Sequence, residues 1–593
     1  MDFPGSVIPS TDLWYGTSGP RDASVMIVGE SWGKKEDEEK TNFVGNTGYE
    51  LKQKLLPECG LNPATIFFTN VVPALPPWNP NARPRPSNDM GMFFSTTKEA
   101  QSHASRLEAR GGLYPSPTVQ DGLSRLQQQI LRVRPKVIIG FGNYSLWALT
   151  DQCYSVGRRP DLPGRRVPTG ITVWRGSQLY TSAAFGNTPL LPTFHPAAYL
   201  QGQYSWRFQV KHDLSSRLKK FFSGKWAAPD YRFIVRPDYG TVCAHLDFLL
   251  DRATRERFRL AVDLETRNGF IACIGLATSR LDAICIPFLC VERQEGYWTI
   301  DQEYEIIQRL RRLLTSPNCE ITGQNYLYDA QYIANEWGVF SRCDFDTMIA
   351  QHLLWPGTQK ALWYISSLYN QYHCYWKDEG KNWDPKVGED QLWTYNCKDA
   401  VATWEASYEE EKLIRAFKLT EQFATQMAQF PMLLEMMLCG VPIDISERAR
   451  VSKELSKQIK IHQDYLDSLI PLSVYERPKK KSHWTGSPKQ QAEIFYDLLG
   501  CKIHPHLKRS CKDEAIELIG TAEPILRPIT KALQELRSMR VYRNTFCRAE
   551  LDPDLRMRSS IDPTGTATFR YASRKNAYGR GTNMQNFPRP DDD

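Results

Sequence analysis

The chain has 593 residues, 41 % apolar and 24 % charged, with 74 Lys and Arg against 67 Asp and Glu, for a net charge of +7. That length exceeds what one core supports and predicts roughly three or four domains of ordinary globular composition. The mild positive charge is compatible with a nucleic-acid partner but does not demand one. The 14 cysteines are scattered singly from Cys59 to Cys547 with no C-x-x-C pair, which argues against a zinc site and against a disulfide framework. No basic-then-apolar leader opens the sequence, and no run approaches the roughly 18 apolar residues of a membrane span. No membrane partner and a cytoplasmic setting are therefore expected.

Residues 1–225 alternate apolar strands with helices, the pattern of an α/β domain. ASVMIVGE, IFFTNVV and PKVIIGFG read as buried strands, NYSLWALT as a helix, and TPLLPTFHP as a strand ending on His195. The stretch Pro76 to Pro117, rich in Pro, Asn, Arg and Ser, reads as an exposed loop, and SGKWAAPDY reads as a linker. Residues 232–405 hold a strand run (FRLAVDLE, FIACIGLAT, LDAICIPF) and then helices. From Glu409 the periodicity is helical, as in EKLIRAFKLTEQFATQMAQFPMLLEMML, until Cys439-Gly440 and Pro442 stop it. PLSVYERPKKKSHWTGSPKQ reads as a basic loop between helices, and the stretch Arg540 to Pro590 is also strongly basic.

Acidic residues in the middle of the chain carry the chemistry. Asp263 and Glu265 are two apart on a predicted strand, so both carboxylates face one side. Tyr395 and Asp399 are four apart on a predicted helix and share a face, and Asn325 and Asp329 stand in the same relation at a helix start. Hard divalent cations take oxygen ligands. Two of them about 3.5–4 Å apart can clamp the attacking and leaving oxygens of a phosphodiester. Each pair alone is a weak signal; the ordered set, followed by DTMIAQHLLWPG, is a strong one.

In that order and setting the sequence closely resembles the DEDD-type 3′–5′ proofreading exonuclease of family A DNA polymerases. The resemblance implies a ribonuclease H-like fold, two Mg²⁺ ions (with Mn²⁺ able to replace them) on Asp263, Glu265, Asp329 and Asp399, and Tyr395 orienting the attacking water. PMLLEMMLCGVPID, TGSPKQQAEIFYDLLG and LRSMRVYRNTF resemble the thumb that follows in that family. PTGTATFRYASRKNAYGRGTNMQNFPRP resembles the stretch that lies on primer–template DNA, with Phe569 where the family has Gly and KNAYGRG as extra residues. Arg570 and Gln585 match its DNA-contacting positions. No palm or fingers motif follows Gln585: a second polymerase chain bearing them is the favoured expectation, and a polymerase sequence cut short before them is the alternative.

VMIVGESWGKKEDEEKTNFVGNTGYEL, FFTNVVPALPP, RPKVIIGFGNYSLWAL and LPTFHPAAYL resemble the motifs of the uracil-DNA glycosylase superfamily, nearest its family-4 branch. That fold flips a base into a pocket. The resemblance implies that Glu30 serves the water-activating loop, Phe43 stacks on uracil, Asn70 hydrogen-bonds its edge and His195 stabilises the departing anion. The region holds only Cys59 and Cys153, so no iron–sulfur cluster is expected. Trp32 stands where the family has a Gly-Pro turn and is bulky enough to fill the pocket.

The expectation is a multidomain α/β protein with three parts. Residues 1–225 form a uracil-DNA glycosylase-like α/β/α domain, 232–405 a 3′–5′ exonuclease domain, and 406–593 a mostly helical thumb with the start of the polymerase domain. Its function would be that of a split replicative polymerase subunit, phage-encoded and acting in the bacterial host cytoplasm on primer–template DNA. A stand-alone repair protein coupling uracil excision to end trimming and a non-catalytic DNA-binding scaffold are the rival readings.

Overall fold

The computed structural model describes residues 8–82, 86–102, 110–293, 295–381, 384, 386, 388–470 and 483–587. Most of the predicted basic loop (471–482) and the last residues (588–593) lie outside the described residues.

Two compact units are present. The first comprises Met1–Arg267, Ile271–Tyr326 and Arg342–Phe423; the second comprises Asn268–Phe270, Leu327–Ser341 and Ala424–Asp593. In the first unit, β1 (Val25–Ser31) and β2 (Ile66–Val72) are apolar runs, buried along almost their whole length as parallel strands covered on both faces should be. Helix α1 (Pro117–Val133) follows, then β3 (Val137–Phe141), α2 (Gly142–Leu149), β4 (Leu179–Tyr180) and β5 (Pro189–Thr193). The sheet order is β2-β1-β3-β5-β4, parallel except for β4. The predicted strand ending on His195 stops at Thr193; His195 instead caps a short helix, its Nδ1 accepting from Ala197 N at 3.3 Å.

The stretch 76–117 departs from the exposed loop predicted for it. Asn79, Phe93, Phe94 and Leu113 are buried there, and Phe94 stacks edge-on against Trp147 of α2. Its Pro and Asn content reported turns and not the packing of Phe94 on Tyr144 and Trp147 of α2.

The second sheet starts with β6 (Arg232–Ile234). Helix α3 (Tyr239–Arg255), β7 (Phe258–Arg267), β8 (Phe270–Ala277), β9 (Asp282–Pro287), α4 (Ile300–Thr315) and β10 (Cys319–Gly323) follow. Then come α5 (Leu327–Trp337), which belongs to the second unit, β11 (Phe345–Asp346), α6 (Thr347–Leu354), α7 (Leu362–Tyr369) and α8 (Asp390–Ala416). The order β6-β9-β8-β7-β10-β11 puts β7 inside the sheet, with α8 packed across β7 and β9. Asn325 is not on a helix with Asp329: it lies just before α5 in the left-handed region (φ +56°). Its N–H and that of Tyr326 donate to Asp346, which also accepts from Met348 and Ile349 at the start of α6.

The two sheets of this unit are joined by a buried polar seam. Arg217 donates to three backbone carbonyls at the end of α7, those of Ser366 (2.5 Å), Ser367 (2.6 Å) and Asn370 (2.7 Å). Arg175, wholly buried, pairs with Asp213 and donates to Ser367 Oγ at 2.8 Å. The predicted linker is tied into this seam: Trp226 is buried, its indole N–H donates to the Leu179 carbonyl, and Gln178 holds the carbonyls of Lys225 and Trp226.

The predicted long helix after Glu409 is broken. Lys418 takes a positive φ of 59°, and separate helices run Thr420–Met427 and Phe430–Cys439 (α9). Gly440 ends α9, as the sequence indicated. Helices α10 (Ile445–Leu469), α11 (Asp513–Ala522) and α12 (Arg527–Tyr542) pack around Leu466, Trp484, Phe495, Leu533 and Leu536. A hairpin, Ser559–Asp562 with Ala572–Lys575, carries the T-G-T stretch in its loop.

Candidate active site

Strand β7 sets Asp263 and Glu265 on one face, and α8 delivers Asp399 to the same place. A carboxylate oxygen from each lies within 4.8 Å of the others. Asn396, one turn before Asp399, donates its amide to the Asp263 carbonyl (3.0 Å) and carboxylate (2.8 Å). Trp376 Nε1 donates to Asp399 Oδ1 at 2.6 Å, and Lys377 Nζ pairs with Asp399 Oδ2 and reaches the Tyr395 hydroxyl at 2.8 Å. Beside them a cleft of about 390 Å³ is lined by Glu265, Trp363, Tyr375, Lys377, Gly380 and Tyr395.

The electrostatics are those of concentrated negative charge. Burial pushes the Asp263 carboxyl well above the usual carboxylate range, and the charges of Asp399 and Glu265 push it further; Lys377 and the Asn396 amide oppose the shift. Burial also disfavours charge on Lys377, but Asp399 and Asp263 outweigh it and its pKa is raised, so the ammonium persists. Burial and the nearby carboxylates hold the Tyr395 phenol above its ordinary value, and it stays neutral. Three hard oxygen donors with surplus negative charge fit a hard divalent cation.

A second constellation sits at the carboxyl ends of β1 and β2. Gly29 pairs with Asn70 in register, and a Cβ at Gly29 would lie 2.2 Å from Asn70 Oδ1 and 2.8 Å from the Phe43 ring. The missing side chain is therefore what lets the Phe43 ring and the Asn70 amide converge. Glu30 accepts from Tyr144 N at 3.0 Å at the start of α2, where a helix favours negative charge. Gly142 (φ +86°) makes room for it, since a Cβ there would lie 2.3 Å from Glu30 Oε1. Burial nonetheless raises the Glu30 carboxyl to about 7. Burial lowers His195 to about 4, so its ring is neutral. Because Nδ1 accepts from Ala197, the proton of the neutral ring lies on Nε2. Trp32 packs against Tyr15 and Gly16.

Residues 16–218 match the family model "Uracil DNA glycosylase superfamily", and residues 248–408 match the model "3'-5' exonuclease". The chain joins a uracil-DNA glycosylase-like domain to a family A type 3′–5′ exonuclease domain. The exonuclease domain contains the carboxylate cluster, and the glycosylase-like domain contains the second constellation. Among relatives, a type-4 uracil-DNA glycosylase of Pyrobaculum aerophilum is 28 % identical over 208 residues, 35 % of this chain and 80 % of that protein. The type-4 uracil-DNA glycosylase of Sulfurisphaera tokodaii is 44 % identical over 57 residues, 10 % of this chain and 26 % of that protein. DNA polymerase I of Borreliella burgdorferi is 23 % identical over 366 residues, 59 % of this chain. The chain spans only 37 % of that polymerase's length. Among solved structures, the POL domain of Pol1 from M. smegmatis in complex with DNA primer-template and dNTP superposes with a TM-score of 0.45 at 17 % identity, over 61 % of this chain and 57 % of that one.

The remaining predicted residues lie in the second unit. Asp329 is buried in the first turn of α5. The extra residues KNAYGRG dock on that same helix: Tyr578 packs 4.9 Å from Tyr332 and accepts from Asn335, and Tyr332 donates to the Ala577 carbonyl. Arg570 and Gln585 are exposed; Arg570 N donates to Thr566 Oγ1, and Gln585 Nε2 donates to the Tyr571 carbonyl. Phe569, standing where the related family has Gly, has φ +58°, the backbone that glycine adopts freely.

Sequence reasoning missed Trp376, Lys377 and Asn396. Asn396 was within reach, since it lies one turn from Asp399 on the same helix. Trp376 and Lys377 belong to no periodic element that the sequence advertises. Glu36, which accepts from Gly45 N at 3.0 Å and from Gly33 N at 3.2 Å, was also missed in the glycosylase-like domain.

Proposed function

We propose that this protein removes nucleotides from the 3′ ends of DNA by metal-dependent hydrolysis. The observation that carries this is the convergence of Asp263, Glu265 and Asp399 within the domain that matches the exonuclease family. Divalent metal, magnesium by family resemblance or manganese in its place, would be held at this cluster. Such an ion neutralises phosphate charge and makes bound water a nucleophile near neutral pH. The chain's own residues set the rest: Asn396 fixes Asp263, Trp376 and Lys377 fix Asp399, and the neutral Tyr395 hydroxyl is a donor able to orient water. The test is degradation of a primer with a mispaired 3′ end by the purified chain. Asp263→Ala should abolish release of nucleoside monophosphate, and equal activity in the variant would refute the assignment.

In the polymerase context this activity is proofreading, with Arg570 and Gln585 on primer–template DNA. The 366-residue likeness to DNA polymerase I supports that context, since it is longer than the nuclease match alone. Weaker primer–template binding in Arg570→Ala, measured by fluorescence anisotropy, checks it.

A second activity, uracil excision, is favoured by the gap at Gly29 that brings the Phe43 ring and the Asn70 amide together. Asn70 would read the base edge, Phe43 would stack on it, and the neutral His195 would donate from Nε2 to the leaving uracil oxygen. Glu30, near half-ionised at neutral pH, would accept a proton from attacking water. Incubation with uracil-containing DNA decides: abasic sites are expected, and intact product after alkali would reduce this domain to a binding module.

A further inference from the structure

The carboxylate cluster already holds a cation, and it belongs to the protein. Lys377 Nζ lies on Asp399 Oδ2 and at 2.8 Å from the Tyr395 hydroxyl, while Trp376 Nε1 occupies the other Asp399 oxygen at 2.6 Å. Consecutive residues of one segment thus engage both oxygens of Asp399. A divalent ion sharing Asp399 would take one of the lone pairs left on its oxygens and sit beside the Lys377 ammonium, against a like charge.

The segment that delivers Lys377 is fastened to the glycosylase-like domain. Gln178 N donates to the His373 carbonyl at 2.7 Å, and His373 N donates back to Gln178 Oε1 at 3.1 Å. Tyr375 N donates to Ser177 Oγ at 3.2 Å, and the Tyr375 ring meets Trp174 edge-on at 5.1 Å. One residue, Trp376, separates the last of these fastenings from Lys377. Four methylenes and an ammonium then cover the remaining distance, packed 4.9 Å from the Tyr395 ring.

We propose that Lys377 permanently takes one of the two cation positions of the exonuclease centre, so that the site loads a single divalent ion, and that the glycosylase-like domain keeps Lys377 there. This rests on the metal-dependent nuclease reading above. The ammonium neutralises Asp399 and leaves Asp263 and Glu265 to the divalent ion. It also gives the fusion of the two domains a physical purpose: the seam that joins them ends inside the nuclease centre.

The test counts ions in the full chain with Mn²⁺, by electron paramagnetic resonance and titration calorimetry, with circular dichroism to confirm folding. Wild type is expected to bind one Mn²⁺ at the cluster and Lys377→Met two, since Met keeps the packing and removes the charge. Lys377→Arg should restore the count of one. The doubly altered seam variant Ser177→Ala with Gln178→Ala should bind the second ion with affinity raised about tenfold or more over wild type. Two ions in wild type, one in Lys377→Met, or seam variants indistinguishable from wild type would each overturn the proposal. Asp263→Asn separates the two layers of argument: it should remove the first ion, and if Mn²⁺ binding survives it unchanged, the nuclease reading itself fails.

Discussion

The Asn396 side-chain amide clasps Asp263 twice, at the carbonyl and at the carboxylate, from the helix that carries Asp399. Sheet and helix carboxylates are thereby held in fixed relation before any ligand arrives. Groups that orient a metal ligand typically matter by 10–100-fold. Asn396→Ala should therefore lower the rate of 3′-end hydrolysis by about 10-fold or more. Asn396 is fully buried, so the rate is to be compared at a temperature where calorimetry shows the variant still folded. Equal rates in single-turnover assays would show that Asp263 needs no such support.

The cluster also shows what could be read from the chain beforehand. Asp263 and Glu265 alternate on a strand and Asp399 follows Tyr395 by one turn, so each pair was written in local spacing, while the meeting of the two pairs was implied only by the family resemblance. Trp376 ends an irregular segment that is hydrogen-bonded to another domain, and Lys377 opens the short helix Lys377–Lys381 that follows it, so no local period reports their place. The stretch 76–117 was misjudged for a related reason: Pro and Asn announce turns but say nothing of the partners that Phe93 and Phe94 find. Helical periodicity also ran across Lys418, because a single left-handed residue leaves the pattern of apolar residues intact. The long strands β1, β2 and β3 were legible because they are nearly unbroken apolar runs, and β7, β8 and β9 because apolar residues dominate them; the short β4, β6, β10 and β11 carry too few residues to show a pattern.

Glu30 makes stability in the glycosylase-like domain depend on pH. Its carboxyl rises from 4.5 to about 7 on folding, so between those values the folded state keeps a proton that the unfolded chain has released. The contribution is present below about pH 4.5 and is lost as pH rises through 7. A shift of that size corresponds to about 3 kcal/mol. Glu30→Gln should flatten the fall in melting temperature of this domain between pH 5 and 8, as followed by calorimetry. A variant that keeps the wild-type slope would place the titrating group elsewhere.

Gly142→Ala should be costly out of proportion to one methyl group. Its φ of +86° disfavours any side chain, and the added carbon would strike the Glu30 carboxylate. A loss of about 1–3 kcal/mol in denaturant unfolding is expected. A loss below about 0.5 kcal/mol would mean the turn relaxes freely.

Arg217→Met strips donors from three buried carbonyls at the end of α7. Leaving such groups unpaired costs about 1–3 kcal/mol each. The seam should weaken enough that the two domains unfold in separate calorimetric transitions where wild type shows one. A single transition in the variant would show that the carbonyls find other donors.

Behind the carboxylates, Cys273, Cys285 and Cys397 share the apolar layer between sheet and helix α8, all fully buried. Burial pushes each thiol above its ordinary value, so none is a ready thiolate. A thiol reagent can reach them only while the layer is parted. Their modification rate in native buffer would thus clock the spontaneous breathing of the nuclease core, with no residue altered beforehand. Occupancy of the pocket above them should slow that clock.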